Sequence, residues 1–493
     1  MEDGASAAAT APRPFSIATT WPPVAAIAAA AILLLALVLR ILCARGQLWL
    51  DELWSLKLID EMRARHDLLW GLPLDNNHYL NTLYLAAVGA DAPILVQRGF
   101  SILLGVLTVL AAGIAARRAG LVAALTAMAF FAISYPMVNY GSEARGYAGL
   151  ILATLCAILL TESAAAGSKR DRLKLGIANL AGVLFQPIML GEIACLMGWA
   201  AWLRRPAGPA TPRAVAAAGF AALETFLWTV RLLLPVGAIM TIAIMHVGGY
   251  VVAARIPFSV GSFVEGYGGL LNLLLGLPDT VPIWTGPCIA AIAMAMIANL
   301  ARGDRDHRLS LYVFHIVGLP LAMFVAELPN ALYPRYYLAS GIVFLLLLAD
   351  LFGRIWQQGG AARIVAILLA AALVFGNAVH VARLAENGRD QTAAMMHLIG
   401  DAGPALVTSD QDARNRPVID YAARRLNLPV TYVPADRICA QKPTWMVSSW
   451  PEQQIPERLD TAGRTACSIV FKKVATFPQW GLSGLPWTVY RAE

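Results

Sequence analysis

Long apolar stretches separated by short polar turns make up most of the sequence as far as residue 382. A helix that spans a bilayer needs roughly 20 mostly apolar residues. The stretch 175–203 is apolar enough for two short spans that turn near Gln186 and Pro187. Together with the clear candidates, it predicts about eleven spans. The clear candidates are residues 24–43, 99–116, 120–138, 147–163, 232–250, 285–301, 309–328, 337–353 and 364–382.

The pattern changes after the last span, where short helical and strand-like segments alternate. Such alternation predicts a small α/β domain with a largely parallel sheet. The expected helices are 390–400, 417–426 and 452–461. The expected strands are 404–409, 429–433, 444–449, 467–473 and 486–492.

These patterns divide the chain into three regions. We expect an N-terminal tail at 1–23, a transmembrane domain at 24–383 and the small α/β domain at 384–493. Within the transmembrane domain, residues 44–97 form a long first outer loop and 251–283 form a middle outer loop.

The amino-acid composition excludes several classes of protein. Hydrophobic residues make up 58% of the 493 residues and charged residues only 14%, and the mean hydropathy is +0.61. Soluble globular domains carry about 25% charged residues, so most of this chain must lie in lipid. A cytosolic enzyme, a fibrous protein and a disordered chain are therefore excluded. The net charge of +7 does not indicate nucleic acid, because the basic residues cluster between apolar runs rather than on one face.

Lysine and arginine are unequally distributed between the two sets of turns. With the N-terminus inside, the short outer turns contain only Arg145, Arg255 and Arg335. The inner turns contain Arg117, Arg118, Lys169, Arg170, Arg172, Lys174, Arg204, Arg205, Arg213, Arg302, Arg305, Arg308, Arg354 and Arg363. The positive-inside rule then predicts a cytoplasmic N-terminus and a C-terminal domain on the outer side.

Two of the six cysteines, Cys439 and Cys467, lie in the C-terminal domain. On the outer side of the membrane they would be in an oxidising compartment, where they can form a disulfide. Two unpaired buried thiols are nearly as well supported by the sequence.

Acidic residues at the start of the first outer loop are the first candidates for chemistry. The segment 50–65 has close to amphipathic spacing, which predicts a helix in the membrane interface with Trp49 and Trp54 at headgroup level. Asp51 and Glu52 then lie in its first turn, where carboxylates also stabilise a helix simply by capping it. The functional alternative is a carboxylate that takes a proton from an acceptor hydroxyl or holds a divalent cation.

A polar cluster later in the same loop contains His78. The histidine follows Asp75, Asn76 and Asn77 and precedes Tyr79. This composition can cap the apolar helix that follows, and a lone histidine is more often structural. The alternative is that the cluster holds a ligand or a metal.

Two outer turns each carry one arginine. Arg145 can pair with Glu143, which at a surface is worth about 0–1 kcal/mol. It can also bind a phosphate through two parallel hydrogen bonds. Arg335 lies between tyrosines, so it can anchor the chain in the interface or contact a phosphate.

Taken in chain order, these motifs resemble the polyprenyl-phosphate-dependent glycosyltransferases of the GT-C class. They are most similar to the protein O-mannosyltransferase group and the bacterial lipid A aminoarabinose transferase. The resemblance covers roughly residues 24–353 and extends to the outer α/β tail. The matching pieces are Leu50-Asp51-Glu52, Arg98 at the start of a span, Glu143-Ala144-Arg145-Gly146-Tyr147 and Pro334-Arg335-Tyr336.

The resemblance implies a GT-C-like fold and roles for individual residues. Asp51 would be the catalytic carboxylate and Glu52 its supporting neighbour, while Arg145 and Arg335 would contact the lipid-linked phosphate. The family commonly has two prolines after the histidine, whereas Tyr79 and Leu80 follow here, which bears on any metal role. The further candidates for substrate binding are Tyr147, Tyr336, His78 and Arg98, of which Arg98 can also be structural.

The function implied is an inverting glycosyltransferase in the bacterial inner membrane. It would move a hexose or pentose from a polyprenyl-phosphate carrier to an envelope lipid, glycan or protein at the outer, periplasmic face. No cofactor is required by the sequence, although a divalent metal held by His78 and Asp51 would be compatible with it. The alternatives are a multi-pass lipid or precursor transporter and a non-catalytic membrane scaffold.

Overall fold

The chain folds into a bundle of apolar helices followed by a mixed helix and sheet region. The computed structural model describes residues 21–64, 78–206, 211–246, 256–300, 307–450, 454–463, 465, 467–479 and 481–493. The predicted tail is therefore described only from residue 21, and the motif residues Asp75, Asn76 and Asn77 lie outside the described residues.

Helices α1 to α18 form the first part of the chain. The first nine are α1 (Pro23–Cys43), α2 (Leu50–Ala64), α3 (Tyr79–Val88), α4 (Ile94–Gln97), α5 (Gly99–Ala116), α6 (Leu121–Ile133), α7 (Tyr135–Tyr140), α8 (Tyr147–Ala165) and α9 (Lys169–Phe185). The next nine are α10 (Met189–Leu203), α11 (Pro212–Thr225), α12 (Leu227–His246), α13 (Val260–Leu274), α14 (Thr285–Leu300), α15 (His307–Tyr312), α16 (Leu319–Val325), α17 (Leu338–Gln358) and α18 (Gly360–Asn387).

The chain is a multi-pass membrane protein, as predicted. Among the described residues, six helical segments are long and apolar enough to cross a membrane, or seven if the bent pair α11 and α12 forms one span. The six are Pro23–Cys43, Gly99–Ala119, Tyr147–Ala165, Arg308–Val325, Pro334–Gln358 and Gly360–Gly400. The shorter apolar helices α6, α10 and α14 occupy three other predicted spans, so the number of about eleven spans stays a prediction.

The chain turns between α9 and α10 near Gln186 and Pro187, where the sequence predicted a turn between two short spans. Gln186 separates α9 from α10 and has an extended backbone (φ −162°, ψ 122°). That conformation is favoured in a residue followed by proline, here Pro187. Helix α13 was missed, because its residues lie in the stretch 251–283 that the apolar pattern assigns to an outer loop.

Helix α17 is the centre of the bundle. Its buried residues run without interruption from Leu338 to Gly353. A helix that is apolar on all sides is stable only when other helices surround it. The bundle is therefore organised around α17, whose N-terminal end also carries one wall of the site described below.

Helix α2 corrects the interfacial prediction. The helix forms over almost the predicted range, but Leu53, Leu56, Ile59 and Met62 are buried in a cluster with residues of the C-terminal domain. The apolar face thus packs on protein instead of lying at headgroup level. Sequence periodicity gives the apolar face and not its partner, since lipid and protein cover such a face equally well.

In the described part of the C-terminal domain, one six-stranded sheet packs with three α-helices. The helices are α19 (Thr392–Gly400), α20 (Asp412–Arg425) and α21 (Ile438–Gln441). The strands are β1 (Ala405–Ser409), β2 (Val430–Tyr432), β3 (Trp445–Ser448), β4 (Arg458–Asp460), β5 (Val470–Phe477) and β6 (Trp487–Ala492), in the order β2-β1-β3-β6-β5-β4.

The prediction of a largely parallel sheet was wrong. β1 is parallel to both β2 and β3, whereas the other three strand pairs are antiparallel. The described end of the predicted helix 452–461 is instead the edge strand β4, in which Leu459 is buried between exposed Arg458 and Asp460. This alternation is the period of a strand packed on one face.

The two cysteines of the C-terminal domain form a disulfide. Cys439 in α21 is bonded to Cys467, which lies ahead of β5. The bond decides between the two alternatives that the sequence left open.

The packing of α2 on the α/β domain predicts the effect of Ile59→Ala. Ile59 is 2% exposed, so the substitution should lower the free energy of unfolding by about 2–5 kcal/mol, as for other large-to-small core changes. Lys57→Ala on the same helix should change it by less than about 1 kcal/mol, because Lys57 is half exposed and its contacts with Glu61 and the Trp54 ring lie at the surface. Chemical denaturation of the detergent-solubilised protein measures both, and equal losses would contradict the packing described.

Candidate active site

A cavity of about 940 Å³ lies between one end of the helical bundle and the α/β domain. Its wall combines the first turn of α2, the turn between α7 and α8, the residues before α17 and two loops of the C-terminal domain. Residues that are distant in the sequence therefore meet here. The sequence-predicted residues in its lining are Asp51, Arg145, Tyr147, Arg335 and Tyr336.

Asp51 lies against both arginines. Its Oδ2 is 3.1 Å from Nη1 of Arg145 and 3.6 Å from Nη1 of Arg335. The Asp51 side chain is 21% exposed and faces the cavity, so a small molecule in the cavity can reach its carboxylate. The three groups thus form one charged cluster with a net positive charge.

Arg145 is held rigidly by its surroundings. Its side chain is only 3% exposed and lies between the rings of Trp49 and Tyr147, at 5.3 and 4.8 Å from their centroids. The Ser101 hydroxyl donates a hydrogen bond of 3.1 Å to the Arg145 carbonyl and fixes the turn. Burial lowers the pKa of Arg145, but the nearby Tyr147 hydroxyl and Asp51 carboxylate outweigh it and hold the pKa above its ordinary value.

Arg335 lines the cavity from the segment that precedes α17. It lies in a single turn of 3₁₀ helix, Pro334–Tyr337, which leads directly into α17. Its guanidinium lies over the ring of Tyr333 at 4.3 Å and near Tyr336 at 5.9 Å. Aromatic faces stabilise a cation without neutralising it, so the group stays available to an anion.

Glu52, which was expected in the catalytic pair as the supporting neighbour of Asp51, does not line the cavity. It accepts hydrogen bonds from Arg98 Nε (2.8 Å) and Nη2 (2.6 Å), and both side chains are fully buried. The backbone N–H groups of Ala144 and Trp49 also donate to Glu52, at 2.7 and 3.1 Å. Arg98, which was predicted to bind substrate, also lies outside the cavity lining. The charges of Arg98 and Glu52 compensate each other inside the protein.

The environment of Glu52 keeps it ionised. Burial alone would raise its pKa, but the charge of Arg98 and the hydrogen bonds from Arg98 and Ala144 hold the pKa below its ordinary value of 4.5. Glu52 is thus a permanent anion that joins α2 to the start of α5 and to the turn that carries Arg145.

His78 is also behind the cavity wall. It is fully buried, its Nδ1 is 3.2 Å from the Phe185 carbonyl, and its ring contacts the edge of Tyr147 at 5.2 Å between centroids. Burial and the charge of Arg145 hold the pKa of His78 well below its ordinary value, so the ring is neutral. The described part of the chain contains no group of three His, Cys, Asp or Glu side chains that could hold a metal.

Sequence reasoning missed two parts of the site. These are the start of α20 with the residue before it (411–414) and, in the segment before β6, Gln479, Leu482, Gly484 and Leu485, all of which line the cavity. Glu143 forms the predicted ion pair with Arg145, with 4.0 Å between Oε2 and Nη1. Glu143 also accepts from Asn139 Nδ2 at 2.9 Å and from the Ser483 hydroxyl, and lies 3.5 Å from Arg389 Nε. Contacts between residues so far apart in the chain leave no local signal in the sequence.

Solved structures resemble this fold at low sequence identity. Arabinofuranosyltransferase AftD from Mycobacteria matches with a TM-score of 0.50 and 14% identity, covering 96% of this chain and 40% of AftD. ArnT from Cupriavidus metallidurans, bound to undecaprenyl phosphate, gives 0.47 and 14% over 94% of this chain and 97% of ArnT. The Archaeoglobus fulgidus oligosaccharyltransferase gives 0.49 and 12% over 86% and 68%.

The likeness to AftD shows the fold, which is that of the GT-C glycosyltransferases, as the sequence motifs imply. No protein-family model matches the sequence, and no curated protein sequence matches it. What the cavity does must therefore be argued from its own residues.

The buried pair predicts a large effect of Glu52→Gln. The change leaves the Arg98 guanidinium buried without its counter-charge, so we expect a loss of about 3–5 kcal/mol in the free energy of unfolding. Glu61→Gln on the same helix is the matched control, since Glu61 is 46% exposed and its pair with Lys57 is worth little. Denaturation at pH 7 measures the difference.

The same comparison has a defined pH dependence. Because the pKa of Glu52 is lowered on folding, its contribution is complete above about pH 4.5 and is lost as the pH falls through the folded-state value. The stability gap between the wild type and Glu52→Gln should therefore shrink on acidification. A gap that widens below pH 4.5 would contradict the ionised buried pair.

Proposed function

We propose that this protein transfers a sugar from a polyprenyl-phosphate carrier to an acceptor of the cell envelope, with inversion at the anomeric carbon. The sugar is a hexose or a pentose, and the acceptor is a lipid, a glycan or a protein. The observation that carries the proposal is the convergence of Asp51, Arg145 and Arg335 on one cavity in a GT-C fold.

The charges in the cavity suit a lipid-linked phosphate. Two guanidinium groups can bind the phosphate of the donor through charge-assisted hydrogen bonds. An entering phosphate competes with Asp51 for Arg145 and Arg335, because the Asp51 carboxylate lies within 3.6 Å of both guanidinium groups. Donor binding therefore releases the carboxylate from the ion pairs at the moment when a base is needed.

Asp51 then acts as the general base. Its carboxylate takes the proton of the acceptor hydroxyl, and the acceptor oxygen forms a bond to the anomeric carbon. The bond between that carbon and the phosphate oxygen breaks, and its electron pair leaves with the phosphate. A positioned base typically contributes about 10²–10⁴-fold to the rate. Each fixed donor that stabilises the charge on the leaving phosphate contributes roughly 10²–10³-fold more.

The remaining predicted residues support these groups. Tyr147 and Tyr336 line the cavity beside the arginines and contact the sugar or the phosphate. His78 positions Tyr147 through the ring contact, while Glu52 and Arg98 hold the first turn of α2 in place. We propose them as positioning residues rather than as direct participants.

The distribution of basic residues supports an outer location for the cavity. Arg98 at the start of α5 contacts Glu52 near the site, so the turn Arg117–Ala119 at the end of α5 lies on the far side of the bundle. The positive-inside rule favours the cytoplasm for that basic end. In this proposal 1–23 is cytoplasmic, 24–383 is the transmembrane catalytic domain and 384–493 is periplasmic, in a bacterial inner membrane.

Asp51→Asn is the direct test of the base. Transfer from a labelled polyprenyl-phosphate sugar to a cell-envelope extract should fall by at least about 100-fold, because the amide cannot take the proton. Asp60→Asn on the same helix is the matched control, since Asp60 is exposed and does not line the cavity. Transfer by the purified proteins measures both effects.

Two outcomes would count against the proposal. Full transfer by the Asp51→Asn variant would remove Asp51 from the mechanism. Movement of a labelled lipid-linked sugar across proteoliposomes, with no glycosylated product under any condition, would favour a carrier over an enzyme.

Arg335→Ala tests the phosphate site separately from the chemistry. Loss of one charge-assisted contact should weaken the binding of undecaprenyl phosphate by about tenfold or more. Arg363→Ala is the control, because Arg363 is in the first turn of α18 and its Nε bonds only to the Trp356 carbonyl at 3.0 Å. Calorimetry in detergent measures the affinity, and equal affinities of the wild type and the Arg335→Ala variant would contradict the assignment.

A further inference from the structure

The C-terminal domain contributes a cation of its own to the cavity. The short loop after β1 leads into α20. Its residue Gln411 lines the cavity together with Asp412, Ala413 and Arg414 in the first turn of α20. In an α/β sheet, the loops at the carboxyl ends of adjacent parallel strands are the usual place for a ligand. β1 and β3 are such a pair.

The first carboxylate of this loop is turned into the domain. Asp410 accepts hydrogen bonds from Asn415 Nδ2 at 3.0 Å and from the Ser448 hydroxyl at 2.5 Å. The indole N–H of Trp450 donates to the same carboxylate. These contacts fix the loop to the end of β3, and the charge of Asp410 is taken up by donors inside the domain.

The second carboxylate is also occupied. Asp412 Oδ1 accepts from the Tyr432 hydroxyl at 2.6 Å, and Oδ2 accepts from the Ala435 N–H at 2.8 Å. The Tyr432 hydroxyl lies 2.7 Å from the Ser409 hydroxyl as well. The segment 410–412 is thus fixed in place, because both acidic side chains accept hydrogen bonds from groups of the α/β domain.

Arg414 differs from these neighbours. Its side chain is half-buried in the cavity wall, and no carboxylate among the described residues forms an ion pair with it. The next arginine, Arg416, pairs with Asp420 at 3.2 Å on the exposed side of α20. Among the described residues, no side chain therefore takes up the hydrogen-bonding capacity of the Arg414 guanidinium, and a ligand in the cavity can do so.

We propose that Arg414 forms an acceptor subsite, which selects an acceptor that carries an anionic group beside the hydroxyl to be glycosylated. The proposal rests on the proposed function, in which Arg145 and Arg335 hold the donor phosphate. Arg414 comes from a different domain and a different wall of the same cavity, so it can bind a second anion while the first two arginines are occupied. The anion is a phosphate or a carboxylate, both of which match the guanidinium fork.

The subsite also gives the α/β domain a function in acceptor binding. The membrane bundle supplies the base and the donor site, whereas residues 411–414 at the start of α20 bind the acceptor. An acceptor without a negative charge would leave Arg414 unpaired inside the cavity and would bind less well.

Binding of small acceptor probes tests the inference. The full-length protein in nanodiscs is first saturated with undecaprenyl phosphate, which occupies the donor site and shows that the variant is folded. Calorimetry then measures the affinity for glycerol phosphate, glycerate and uncharged glycerol. We expect at least one of the anionic probes to bind about tenfold or more tightly than glycerol, and the better one identifies the anion.

Two variants localise the effect. Arg414→Ala should lose about tenfold or more in affinity for the anionic probe and should still bind undecaprenyl phosphate like the wild type. Arg416→Ala should bind the probe within about twofold of the wild type, because it removes the same charge from the exposed side of α20.

The outcomes separate this inference from the proposed function. A wild type that binds undecaprenyl phosphate but prefers glycerol to both anions, or an Arg414→Ala variant that binds the anion as the wild type does, would overturn the acceptor subsite alone. A wild type that does not bind undecaprenyl phosphate would overturn the proposed function and the subsite with it.

Discussion

The buried pair of Glu52 and Arg98 is the interaction on which the geometry of the site depends. Burying two charges is costly, and the cost is offset only where geometry and further hydrogen bonds are good. Here Glu52 also binds the backbone N–H of Ala144. Fixing Glu52 also fixes its neighbour Asp51, and fixing Ala144 also fixes its neighbour Arg145. In each adjacent pair, one residue therefore stabilises the fold while the other faces the cavity.

The sequence predicted the parts of this protein that depend on local pattern. The apolar runs gave the main spans, and the order of short motifs gave Asp51, Arg145 and Arg335 as residues that meet. The partner of the apolar face of α2 and the strand directions after β3 depend on contacts between distant residues, which periodicity does not encode. For the same reason, the sequence did not show that Glu52 pairs with Arg98, which is 46 positions away.

The α/β domain is an integral part of the cavity rather than an appendage. Arg389, which follows the last long helix, donates to the Asn139 carbonyl and the Ser142 hydroxyl at 2.9 Å and lies close to Glu143. Ser483 in a cavity loop donates to Glu143 as well. These buried contacts fasten the domain to the turn that carries Arg145, so both walls of the cavity share one support.

The central claim is that Asp51 and the two arginines act on one substrate in one cavity. A cryo-EM map of the Asp51→Asn variant with a bound polyprenyl-phosphate sugar tests it most directly. We expect the phosphate within hydrogen-bond distance of Arg145 and Arg335, with the anomeric carbon between the phosphate and the side chain at position 51. A sugar phosphate bound elsewhere in the protein, with these three side chains still in contact only with one another, would contradict it.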